Sequence, residues 1–169
     1  MDDAPNKVRV DIEGLAIDPL SNSPILFLKD NQSDKSLPIW VGYSEATAIA
    51  TEIEKLKMPR PMTHDLLKSI IDHLGATITE VFVNSLEENT FYAVLELNMN
   101  GKNISIDARP SDAIAIAIRA QCPIYVSKVL LESATSIKPQ DSANATDEEK
   151  EQFKHWIENI RPSDFKNFE

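Results

Sequence analysis

The stretch Asp107-Ala108-Arg109-Pro110-Ser111-Asp112-Ala113-Ile114-Ala115-Ile116-Ala117 reads as the end of a strand, a turn and the start of a helix. Ser111 is of the type that accepts from the free N–H groups of a first helical turn, and Asp112 puts a negative charge where the helix dipole is positive. The alternation of Ala and Ile would also suit a strand. The Ser-Asp start and the small alanines favour a closely packed, buried helix ending near Gln121.

Working outward, the same pattern occurs earlier in the chain. Ile39-Trp40-Val41-Gly42-Tyr43-Ser44-Glu45-Ala46-Thr47-Ala48-Ile49-Ala50 aligns without a gap on Ile106 to Ala117, and Glu45 meets Asp112. Three strand-like runs precede each copy: Val8 to Ile17, Ile25 to Lys29 and Leu37 to Val41, then Thr77 to Asn84, Phe91 to Asn98 and Asn103 to Ala108. The repeated order predicts an internal duplication of a strand-strand-strand-helix unit, about 8–57 and 77–121. The fold class expected is α+β, with mixed or antiparallel sheets packed on helices and a C-terminal helix added.

Between the two copies, Ala46, Ile49, Ala50, Ile53 and Leu56 form one apolar stripe of a helix that Pro59 and Pro61 would end. Arg60-Pro61-Met62-Thr63-His64-Asp65-Leu66-Leu67 then opens a second helix. Thr63 reads as its N-cap, Leu66, Leu67, Ile70, Ile71 and Leu74 as one face, and Gly75 as its stop. His64 and Asp65 fall in its first turn on the polar side, where Asp65 could pair with Lys68 or both could serve a site. After Cys122-Pro123 a further strand, Ile124 to Lys128, and a last turn with Leu130, Leu131 and Ala134 complete a domain of residues 7–135. Residues 136–146 read as a linker. Residues 147–169 read as an amphipathic helix and tail carrying Phe153, Trp156, Ile157 and Ile160 at helical spacing, a segment that needs something to pack against.

A chain of 169 residues is one domain's worth and can bury a core without staples. No basic-then-apolar leader opens it and no run approaches a membrane span, so a soluble, cytoplasmic protein is expected. The single Cys122 excludes an internal disulfide and reads as a packing residue. The net charge of −10 weighs against binding nucleic acid through a basic face. Divalent cations at a local site would relieve that objection.

The chain contains no phosphate-binding glycine loop, no paired cysteines of a zinc site and no nucleophile elbow. With three histidines in all, a His-rich zinc site is not expected. A Mg²⁺ or Mn²⁺ ion needs only one or two carboxylates plus water and substrate oxygens. Candidate metal ligands are Glu45, Asp107 and Asp112. His64, Asp65 and Asp112 are the candidate catalytic residues, and Arg60 and Arg109 the candidate phosphate-binding ones. The alternative for Asp107 to Asp112 is structural, with Arg109 tying either aspartate into the turn.

At these residues the chain resembles the bifunctional nuclease domain family. The resemblance rests on Pro38-Ile39-Trp40-Val41-Gly42 with Glu45-Ala46 and Ala48-Ile49-Ala50, on Arg60 to Leu67, and on Asp107 to Ala115. It implies an α+β domain and, by the family's name, hydrolysis of both DNA and RNA. It supplies no catalytic residue list. Two functions are therefore expected: a nuclease, divalent-metal dependent and acting on nucleic acid, or a non-catalytic oligomeric interaction or regulatory module. A homo-oligomer is expected in either case.

Overall fold

Clean alternation in Val8-Arg9-Val10-Asp11-Ile12 starts an eleven-residue strand, β1 (Lys7–Ile17), with Val10 buried and Val8 and Ile12 half-buried against the core. The computed structural model describes residues 6–134, so the expected linker at 136–146 and the helix at 147–169 lie outside the described residues. Two antiparallel strands follow β1, namely β2 (Pro24–Asp30) and β3 (Ser36–Trp40), and then helix α1 (Tyr43–Ile53). Helix α2 (Thr63–His73) leads to a second meander of β4 (Ala76–Glu87), β5 (Thr90–Met99) and β6 (Lys102–Ala108), closed by helix α3 (Pro110–Ala120). Strand β7 (Ile124–Ser127) and the short helix α4 (Lys128–Ala134) end the described chain.

All seven strands form one mixed sheet in the order β3-β2-β1-β7-β4-β5-β6. The two meanders thus flank β7, which runs antiparallel to β1 and parallel to β4. A parallel neighbour requires a crossover, and α3 provides it by carrying the chain from the β6 edge back to the centre. The strand-strand-strand-helix order expected twice is present twice, in an α+β architecture.

Helix α3 is the hub. Ala113, Ile114, Ala115 and Ala117 are fully buried and Ile116 is 2% exposed, so the middle of the helix is apolar all round, with Asp112 and Arg119 toward its two ends. It packs on α1, α2, β4 and β5. Its start differs from expectation: Arg109 is the N-cap and Pro110 the first helical residue, which leaves Ser111 buried in the first turn without a capping bond. Proline's fixed φ and missing N–H suit the first helical position, so the helix begins one residue before the serine expected to cap it. The end is as expected, with Gln121 in the left-handed region (φ 55°) before Cys122-Pro123.

Helix α1 stops before either proline. Lys55 takes φ 52°, and the N–H groups of Lys55 and Leu56 return to the carbonyls of Glu52 (3.2 Å) and Thr51 (2.9 Å). This is a Schellman closure built on lysine instead of glycine, and it removes Leu56 from the helical stripe. Helix α2 also differs. Met62, not Thr63, is its N-cap, and the face turned to α3 carries His64 and Ile71, both 8% exposed. Leu66, Leu67, Ile70 and Leu74 are exposed instead. Gly75 stops the helix as expected, in the left-handed region.

Candidate functional site

The first turns of α1 and α3 each present an acid at the third helical position, Glu45 and Asp112. A carboxylate there complements the positive end of the helix, which is a local reason for both. The fold brings the two turns together around one cation. Arg109 donates from Nε to Asp112 Oδ2 (2.6 Å) and from Nη2 to Glu45 Oε1 (2.7 Å). Two of its five N–H donors are thereby used, and the side chain stays 66% exposed, so the remaining donors are available to an outside acceptor.

Behind this clamp lies His64, its side chain 11% exposed, with Nε2 at 2.9 Å from Asp112 Oδ1. Asp112 thus uses both oxygens, one on the arginine and one on the imidazole. Burial pushes the Asp112 carboxyl up, but the bonds from Arg109 and His64 outweigh it and hold the group below its ordinary value. The same contacts from Asp112 and Glu45 push Arg109 up, so it is a permanent cation.

Gly42 gives Glu45 its position. A Cβ at residue 42 would stand 2.2 Å from Glu45 Oε2, the mobile end of that side chain, so the glycine leaves the room in which this carboxylate folds back over the start of α1. In the alignment of the two units, Gly42 corresponds to Arg109. One copy supplies space and the other supplies the cation.

A second pair braces the first. Asp65 accepts from the Met62 backbone N–H (2.8 Å) and from Arg119 Nε (2.6 Å), while Arg119 also donates to the Ala115 carbonyl (2.8 Å). Burial raises the Asp65 carboxyl, and the bonds from Arg119 and Met62 bring it below its usual value. Asp65 therefore pairs with Arg119 and not with Lys68, which bonds Asp72. His64 is likewise turned onto α3, with only 11% of its side chain left exposed. Both follow from the rotation of α2, which turns this part of its polar side onto α3.

Of the residues expected at a site, Glu45, His64, Arg109 and Asp112 form one connected network, and Asp65 joins it through α2. Asp107 is exposed on β6, paired in register with Val94, and its side chain has no hydrogen bond or ion pair among the described residues. Arg60 is exposed at a 270 Å³ cleft that Asp65 and Arg119 also line, and it too has no such bond there. Arg119 was not expected. Its signal was its spacing, seven residues after Asp112 and so on the same face of one helix.

Among the described residues, no group of three or more His, Cys, Asp or Glu side chains converges in a way that could hold a metal ion. The Arg109 guanidinium links the Glu45 and Asp112 carboxylates to each other. Cys122, half-buried, has its thiol pushed up to about 11 by burial and is no nucleophile at neutral pH.

The sequence model described as the bifunctional nuclease domain matches residues 26–138. An uncharacterized protein of Mycobacterium tuberculosis is 41% identical over 162 residues, spanning 93% of this chain and 97% of that one. Bifunctional nuclease 2 of Oryza sativa subsp. japonica is 30% identical over 139 residues, 79% of this chain and 43% of its own length. Bifunctional nuclease 1 of Arabidopsis thaliana is 31% identical over 111 residues, 63% of this chain and 34% of its own. This chain therefore spans less than half the length of the plant proteins it matches.

Proposed function

The chain belongs to the bifunctional nuclease family, and from that premise we propose that it hydrolyses phosphodiester bonds of DNA, RNA or both at the Glu45–Arg109–Asp112–His64 network. The observation that carries the reading is Arg109, an exposed guanidinium fixed at two points by carboxylates with donors to spare. A preorganised cation of this kind is suited to the charge that develops on phosphate oxygens in the transition state. Asp112 holds His64 by Nε2, and the other ring nitrogen, Nδ1, makes no hydrogen bond among the described residues. In the reaction proposed, Nδ1 takes a proton from the attacking water. The water oxygen bonds to phosphorus, the bond to the leaving oxygen breaks, and that oxygen is protonated from solvent.

A divalent ion, expected from the sequence, would draw on Glu45 and Asp112, whose oxygens Arg109 and His64 engage in this structure. The proposed steps therefore use only the chain's own residues.

Cleavage of fluorescent single- and double-stranded DNA and RNA, in EDTA and with added Mg²⁺ or Mn²⁺, tests this. Cleavage by the wild type in EDTA, lost in folded Arg109→Ala and His64→Gln proteins, is expected. Equal traces from wild type and both variants would end the nuclease reading. Cleavage that appears only with a divalent ion would end the metal-free mechanism.

A second reading has an observation of its own. The network joins the starts of α1, α2 and α3, as a structural clasp in a non-catalytic module would. A clasp predicts a large loss of stability in Arg109→Ala, whereas an exposed functional arginine predicts a small one.

A further inference from the structure

Away from the network, the edge strand β3, the β4–β5 hairpin and α4 enclose a pocket of 370 Å³ on the core face of the sheet, where Leu37 and Phe91 continue the rows of buried Ile39 and Ala93. Leu37, Pro38, Trp40, Leu86, Phe91 and Leu130 line it, with Asn89 and Ser133 as its polar groups. Trp40 is 47% and Leu86 44% exposed, so the apolar wall is uncovered among the described residues. Ala134, the last described residue, is itself part of the wall. The chain therefore leaves the described fold at the mouth of its own apolar pocket.

We propose that this pocket is the seat of the chain's own segment 147–160, with Phe153 and Trp156 entering it and Ile157 and Ile160 covering the rim. The sequence spaces these four residues as one helical stripe, and an isolated helix of this length is marginal without a partner. The twelve residues 135–146 between Ala134 and the segment reach at most about 40 Å fully extended, which is ample for return to the pocket. A tether that short keeps its cargo at an effective concentration of order millimolar, which favours this occupant over a second copy or a free ligand. The rival surface is the exposed stripe Leu66, Leu67, Ile70 and Leu74. It lies on α2, which packs on α3 and β4, whereas α4 delivers the chain beside β3, β7 and β4.

The chain has two tryptophans, Trp40 in the pocket wall and Trp156 in the segment, so fluorescence reads the docking directly. The difference between the spectra of the full chain and its Trp156→Phe variant isolates Trp156. A blue-shifted Trp156 that resists acrylamide at every protein concentration is expected. Leu86→Asp, an exposed position that leaves the core intact, should shift it red and raise its quenching several-fold, while Ile70→Asp should not. A solvent-exposed Trp156 in the parent chain would overturn the proposal. So would shielding that responds to Ile70→Asp alone, or shielding that appears only as concentration rises, which is docking on a second copy.

Discussion

At the scale of the residue, the site depends on a glycine that does no chemistry. Gly42 has an ordinary φ of −72°, so its role is steric room for the Glu45 carboxylate and not conformational freedom. Gly42→Ala should leave the fold intact and release Glu45 from Arg109. Thermal unfolding should shift by no more than about 1 kcal/mol, because the arginine is mostly exposed and such pairs contribute little. Cleavage should fall roughly tenfold or more if the arginine's aim matters to the transition state. A variant as active as the wild type would show that Glu45 does not orient Arg109. The aspartates give a second prediction. Asp112 and Asp65 are held below their ordinary 3.8, so each contributes stability that is present above that value and is lost as pH falls through its lower folded value. Asp112→Asn should therefore be less stable than wild type at neutral pH, and the gap should close as the medium is acidified below about pH 4. Urea titrations along a pH series measure this, and a gap that widens in acid would contradict it.

At the scale of the element, α2 shows what could be read from the chain and what could not. Its existence, its span and its Gly75 stop follow from local periodicity and turn chemistry, as do all seven strands, because those signals lie within a few residues of one another. Which way it faces does not. Its most apolar stripe would turn inward by composition alone, yet the inward face carries His64, since Asp112 on α3 offers the imidazole a partner that compensates its burial. For the same reason the candidate acids were recognisable by type and helix-start position, whereas the pairing of Asp65 with Arg119 was not. The two are 54 residues apart and meet only once α3 has crossed the sheet. Arg119 is the element's anchor, 6% exposed and bonded to both Asp65 and the helix backbone. Arg119→Met should leave Asp65 without its main partner and destabilise the protein by roughly 1–2 kcal/mol, less than for a fully buried pair because the Asp65 side chain is 35% exposed. It should also free the start of α2, so that cleavage by the still-folded protein falls together with that of His64→Gln. Full activity at the lowered stability would limit Arg119 to a structural role.

At the scale of the whole molecule, two similar meanders are made inseparable by what lies between them. Strand β7 fills the centre of the sheet and α3 lies against elements of both units, so neither half can complete its core alone. The similarity of the halves was visible in the aligned stretches, but their placement was not, because the four residues of β7 carry no signal of insertion between β1 and β4. Cooperativity follows from this arrangement. Amides of β2 in the first unit and β5 in the second should exchange hydrogen with the same free energy, that of global unfolding. Ile114→Ala, at a fully buried position on α3, should lower both together by about 3 kcal/mol, with one urea transition and an unchanged slope. If the variant instead lowered protection in β5 while β2 kept its own, the halves would be independent folding units, and the central helix would be a connection and not the core they share.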